Sequence, residues 1–270
     1  MRIAIEHTTR YGFATDATYS IQSLRLTPPG FDGQTLLDWQ ITCDPEADMT
    51  PTRDGFGNIL HLMTIEGPHR DIAITARGMV EVEDRHGIVQ GLADSVPLRV
   101  FLRRTALTAP DADIAALAGD APADNRLTWL HGLMDRIRDR VDYRTGVTDA
   151  ATTAAEALRA GHGVCQDHAH IFIAAARVAA SPARYVTGYL LTDDGAVAAE
   201  AHHAWAEAWV DGLGWIGFDA ANRICPTDHY VRLGAALDAY GAAPIRGSRR
   251  GGGAEKLDVE VLVQQQNAQP

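Results

Sequence analysis

Gly161-His162-Gly163-Val164-Cys165-Gln166-Asp167-His168-Ala169-His170-Ile171-Phe172-Ile173-Ala174-Ala175-Ala176 is the stretch on which the fold turns. Two glycines break the chain. From Cys165 onward, Ala169, Phe172, Ile173, Ala176 and Ala180 recur on one face at helical spacing until Ser181-Pro182 stops them. A helix that starts near Cys165 puts the thiol where unpaired backbone N–H groups and the positive end of the helix dipole converge. Both favour the thiolate, which is the reactive form. Cysteine more often serves as a small buried apolar group, and it is the place at a helix start that separates Cys165 from Cys43 and Cys225.

A thiolate nucleophile needs a base, and the base needs an orienting group. Downstream of the helix, strand signals run over Arg184–Leu191, His203–Val210 and Trp215–Asp219. His203, Trp205, Glu207 and Trp209 share one face of their strand, and Asp211-Gly212-Leu213-Gly214 supplies a turn. Register decides whether His203 meets Asp219. A three-residue loop that sets Val210 opposite Gly214 also sets Trp205 opposite Asp219, with His203 one diagonal step away. A loop of two or four residues would place the pair on opposite faces.

Upstream, Asp124 precedes Leu127, Leu130, Met134, Ile137 and Val141 at helical spacing, which predicts a helix from near Asn125. Thr153-Ala154-Ala155-Glu156 is a capping-box pattern that opens a short helix through Leu158. Before about residue 107 the period is two. Ile3 and Ile5 alternate with charged neighbours, and Leu37, Trp39, Ile41 and Cys43 fall on one face. Ile72, Ile74 and Ala76 do the same, and a strand candidate over Ile59–Ile65 follows the turn Arg53-Asp54-Gly55-Phe56-Gly57-Asn58. The expectation is an α+β chain with a β-sandwich-like amino-terminal domain over 1–105, a catalytic domain over 106–263 and a flexible tail over 264–270. A further strand is expected at Val259–Val263, with a loop or hinge over Gly247–Gly253.

Composition excludes several classes. The 270 residues carry 24 Lys and Arg against 35 Asp and Glu, a net charge of −11, which argues against nucleic-acid and anionic-membrane partners. Three cysteines cannot form a disulfide framework without one left over. With no signal-peptide pattern and no apolar run of membrane-spanning length, the expected setting is cytoplasmic and reducing. Cys165, His168, His170, His202 and His203 together suggest zinc. Their spacing opposes it, because residues two apart on a helix or adjacent on a strand point to different sides. No metal and no cofactor are expected.

Gly163-Val164-Cys165-Gln166-Asp167-His168-Ala169-His170, Pro182-Ala183-Arg184-Tyr185-Val186-Thr187-Gly188-Tyr189, His203-Ala204-Trp205 and Gly214-Trp215-Ile216-Gly217-Phe218-Asp219 resemble the bacterial transglutaminase-like cysteine protease family. His7-Thr8-Thr9-Arg10-Tyr11, Leu24-Arg25-Leu26-Thr27-Pro28 and Asp54-Gly55-Phe56-Gly57-Asn58 resemble its β-rich amino-terminal domain, and Tyr143, Thr148 and Thr153 fit the stretch before the catalytic helix. The resemblance implies a papain-like core with Cys165 as nucleophile, His203 as base and Asp219 as orienting acid. His203 rather than His202 is the match, because it directly precedes Ala204-Trp205. Two motifs depart from the family: its Asp-Pro-Thr-Asn reads Asp219-Ala220-Ala221-Asn222, and its Gly-Arg-Asp-Tyr is replaced at Ala236-Leu237-Asp238-Ala239.

The implied activity is thiol-dependent acyl transfer from a peptide, isopeptide or other amide, with water as the favoured acceptor. An amine acceptor, as in a transglutaminase, and a catalytically idle peptide-binding module are the alternatives. The oxyanion would be met by the Cys165 N–H and a second donor, for which Gln166 is the candidate.

Overall fold

A computed structural model of the chain describes residues 1–93, 96–120, 125–192 and 202–266. In chain order the strands of the first half are β1 (Arg2–Leu24), β2 (Gln34–Asp44), β3 (Asp48–Arg53), β4 (Ile59–Val82) and β5 (Ile88–Val89). Then come α1 (Ala112–Ala118), α2 (Arg126–Arg140), β6 (Asp142–Tyr143), α3 (Ala154–Ala160), β7 (His162–Gly163) and α4 (Cys165–Val178). The remainder is β8 (Ala183–Leu190), β9 (His202–Val210), β10 (Gly214–Phe218), β11 (Tyr230–Ala236), α5 (Ala239–Ala242), β12 (Ile245–Gly251) and β13 (Glu255–Gln266).

The strand candidates at Ile59–Ile65 and Ile72–Ala76 are two halves of β4, which pairs antiparallel with β1 along most of its length. Both strands change register near their middles, between Gly12 and Ala17 on β1. Phe13, Met63 and Ile65 share one buried cluster with Ile72, Ile74 and Ala76. The sheet therefore folds over its own core, sandwich-like, and each such aliphatic side chain contributes about 1.5–3 kcal/mol by leaving water.

Sheet membership does not follow chain order. β12 and β13, which the sequence put in the second domain, return to the outer edge of β1 and complete the six-stranded first sheet. The Gly247–Gly253 stretch is correspondingly not one hinge. Gly247 lies inside β12, where a Cβ would run into the Gln22 side chain, whereas Gly251, Gly252 and Gly253 adopt positive φ and turn the chain into β13. Gln264, Gln265 and Gln266 are paired with Ala4, Ile3 and Arg2 rather than frayed. Residues 267–270 of the expected tail, and Asp124, lie outside the described residues.

The second sheet is antiparallel in the order β11-β8-β9-β10-β5. Ala204, Ala206 and Ala208 of β9 pack in one apolar cluster with Ala169, Phe172, Ile173 and Ala176 of α4, so small residues on the strand seat the helix closely. At the far end of α4, the buried Arg177 guanidinium donates to the carbonyls of Phe101, Ala183 and Leu237 and to Thr108 Oγ1, which fixes the helix axis against the sheet. Thr153 and Glu156 form the expected capping box at α3.

Candidate active site

Three local constraints place Cys165 at the first position of α4. Gly163 has no room for a side chain, since a Cβ would meet the Asp167 carboxylate group at 2.6 Å. Asp167 Oδ2 accepts the Val164 N–H at 2.8 Å and the Thr148 hydroxyl at 2.7 Å, which ties the incoming chain to the first turn. The Val164 carbonyl accepts the N–H groups of Asp167 and His168 at 3.0 and 3.1 Å. Among the described residues no acceptor meets the N–H of Cys165 or of Gln166, so two consecutive backbone donors stay open beside a half-buried thiol.

The hairpin supplies the other two groups. Gly214 pairs with Val210 across a three-residue turn, the register that brings His203 and Asp219 to one face. The last rung is Phe218 with Ala206, after which β10 leaves the ladder and Asp219 bridges to Ile224. In the space so opened, His203 donates from Nε2 to Asp219 Oδ2 at 2.7 Å. The Cys165 thiol lies close enough to the same ring to help raise its pKa. All three expected residues are thus brought together.

Asp219 is held more heavily than the sequence implied. Its Oδ2 also accepts the Tyr230 hydroxyl at 2.7 Å and Asn222 Nδ2 at 2.8 Å, and its Oδ1 accepts the N–H groups of Ala221 and Asn222. Burial alone would raise this carboxyl, but the bonds from His203, Tyr230 and Asn222 hold it below the usual range. Burial alone would lower His203, and the hydrogen bonds and charges of Asp219 and Cys165 instead push it up to about 10. These partners favour the protonated ring. Trp205 stacks along it at 6.3 Å between centroids, and Tyr230 meets its edge at 5.8 Å.

Tyr230 is the residue that sequence reasoning missed, because it lies eleven positions after Asp219 on a strand no motif announced. Asn222 was visible as the last residue of the Asp-x-x-Asn motif. The replaced stretch around Asp238 forms the end of β11 and a one-turn helix, which Asp238 caps by accepting the Gly241 N–H at 2.8 Å.

The remaining members of the histidine cluster point elsewhere. His168 is pinned between the carbonyls of Val164 and Val141, His170 accepts the Ala239 N–H, and His202 bonds Thr187. Among the described residues, no three His, Cys, Asp or Glu side chains gather to hold a metal ion.

Residues 116–220 match the transglutaminase-like superfamily, and residues 3–81 match the bacterial transglutaminase-like N-terminal region. Uncharacterized proteins of Mycobacterium tuberculosis and Mycobacterium bovis are 30% identical, covering 91% of this chain and 87% of theirs. The chain belongs to the transglutaminase-like superfamily. An uncharacterized protein of Mycobacterium leprae is 29% identical over 97% of this chain and 98% of its own. A candidate cysteine protease from Cytophaga hutchinsonii shares the fold, with a TM-score of 0.76 at 21% identity over 100% of this chain and 93% of that one. A transglutaminase-like core is joined here to an amino-terminal sheet. No helix among the described residues is long and apolar enough to cross a membrane.

Proposed function

We propose that this transglutaminase-like protein is a thiol-dependent amide hydrolase, a cysteine peptidase or amidase that works through an acyl-enzyme. The observation that carries the reading is the His203–Asp219 hydrogen bond beside Cys165, with the helix N-terminus behind the sulfur. The imidazolium pairs with the Cys165 thiolate, and the thiolate attacks the carbonyl carbon of a peptide, isopeptide or other amide. The resulting oxyanion is met by the open N–H groups of Cys165 and Gln166, so the second donor is a backbone group. His203 then gives its proton to the leaving nitrogen as the C–N bond breaks, and a thioester remains on Cys165. Water, deprotonated by His203, attacks the thioester, releasing the carboxylate and restoring the thiol. Asp219 keeps the ring oriented throughout by accepting from Nε2. All three cysteines are free thiols, a state that a reducing cytoplasmic setting preserves.

The test is intact-mass spectrometry of wild type and Cys165→Ala after incubation with a mixture of peptide and glutamine amides, with and without an added primary amine. A transient adduct on wild type, absent from Cys165→Ala and resolved by water, is the expected result. Resolution only in the presence of the amine would make the protein a transglutaminase. No adduct with any amide and no turnover would leave a binding module.

A further inference from the structure

His7, Thr9 and Tyr189 form a buried polar contact in an otherwise apolar junction between the two sheets. The surrounding cluster mixes Ile3, Ile5, Val80 and Val261 of the first sheet with Leu191 and Val231 of the second sheet's side. Within it, His7 Nδ1 lies 3.0 Å from the Tyr189 hydroxyl and Nε2 lies 3.2 Å from Thr9 Oγ1. His7 and Tyr189 are both essentially sealed from solvent. Burying polar groups in an apolar junction costs free energy unless they are hydrogen-bonded, and here His7 is the partner of both Tyr189 and Thr9, which fixes all three in place.

What this contact fixes follows from what lies next to it. Tyr189 pairs across the ladder with His202, the first residue of β9, and the His7 and His202 rings approach to 6.2 Å. Thr187 holds His202 through a 2.8 Å bond to Nε2. Adjacent residues on a strand point to opposite faces. The beginning of β9 therefore presents His202 toward the first sheet and His203 toward Asp219. On the β10 side His203 has no rung, because that strand departs after Phe218. Its backbone is braced from the β8 side, where Gly188 and Tyr189 face His203 and His202.

We propose that the amino-terminal sheet is a working part of the catalytic scaffold, with His7 and Tyr189 as positioning residues that set His203 by clamping His202. The proposal rests on the Cys165–His203 reading above, and it gives the His7-Thr8-Thr9 stretch a role. His7 and Thr9 face the second sheet, whereas Thr8 points the other way and bonds Thr75 at 3.0 Å.

The experiment is the pH profile of iodoacetamide alkylation at Cys165 in the full-length protein, followed by peptide mass spectrometry, with melting temperature measured in parallel. Tyr189→Phe keeps the ring and removes one hydroxyl. It is expected to slow alkylation at pH 6 by about tenfold and to move the rise of the profile to higher pH, since small misplacements of a catalytic group are costly. His7→Leu is expected to do the same, and His7→Gln, which retains a donor and an acceptor, to lie nearer wild type. Thr8→Val, a hydroxyl loss on the same strand but the other face, is expected to leave the profile unchanged. A folded Tyr189→Phe with the wild-type profile, or an equal shift in Thr8→Val, overturns the positioning role while leaving the triad intact. A wild-type Cys165 no more reactive than Cys225 overturns the triad reading and this proposal with it.

Discussion

Tyr230 donates its phenolic hydrogen to Asp219 Oδ2 at 2.7 Å, although its strand is separated from the one leading into Asp219 by two others in the sheet. The contact exists because β10 stops at Phe218 and the chain crosses back to begin β11 at Tyr230. Tyr230→Phe preserves the edge contacts with His203 and Trp205. It removes a bond to a charged acceptor, worth about 1.5–3 kcal/mol. The expected outcome is a stability loss of that order in urea denaturation, together with slower Cys165 alkylation near neutral pH. Full retention of both would mean that Asn222 and His203 hold the carboxylate unaided.

The three thiols are expected to separate cleanly on labelling. Burial, aided at Cys43 by the charge of Asp44, pushes Cys43 up to about 11, and burial alone does the same to Cys225. Neither is appreciably ionised near pH 7. Cys165 sits at a helix N-terminus beside His203, so iodoacetamide is expected to take it first by at least about tenfold. Comparable rates at all three positions, read by peptide mass spectrometry, would remove the grounds for an activated thiol.

The junction between the sheets is expected to weaken in acid. Burial pushes His7 down to about 3 and His202 to about 4, each helped by a neighbouring histidine. An unfolded chain titrates these rings near 6.5, so below that pH it binds protons that the folded state refuses. Stability from these two rings is complete above about pH 6.5 and is lost as pH falls toward 4, at up to about 1.4 kcal/mol per pH unit for each. His203 runs the opposite way. Its raised value stabilises the fold fully below about 6.5, and that contribution disappears as pH climbs through about 10. Urea midpoints between pH 4 and 10 check both arms. Within the acid arm, His7→Gln is expected to flatten the slope, and an unchanged slope in that variant would assign the acid sensitivity to other groups.

Local signals carried most of the site. Cys165 was legible because two glycines and a helical period leave little freedom in where the helix begins, whereas the turn residues allowed the Gly214–Val210 register without choosing it over a loop one residue shorter or longer. Contacts between distant segments were not legible. Tyr230 on Asp219, His7 on Tyr189 and the return of β12 and β13 to β1 all join residues with no shared periodicity. Glycines misled for a related reason. The Gly247–Gly253 run has loop composition, but Gly247 is small so that β12 can close on Gln22, a requirement of packing rather than of turning.

Glu207 offers the largest single effect on stability. It is wholly buried on the face of β9 that carries His203 and Trp205, and it accepts from Arg184 Nε at 2.6 Å and Arg232 Nε at 2.8 Å. Burial would raise its carboxyl, but the two guanidiniums outweigh burial and bring it down to about 2. The Arg184 guanidinium also lies 4.0 Å over the Trp215 ring, so the trio is packed as well as charged. Glu207→Gln keeps the shape and deletes the charge both arginines share. Breaking a buried pair in this way leaves desolvated cations behind and is expected to cost about 3–5 kcal/mol. The triple replacement Arg184→Met, Glu207→Leu, Arg232→Met removes all three charges at similar volume and is expected to be far less damaging than the single change. Urea unfolding of the two variants decides the matter: a single substitution that costs under about 1 kcal/mol would show that water reaches the trio and that it contributes only as a surface pair does.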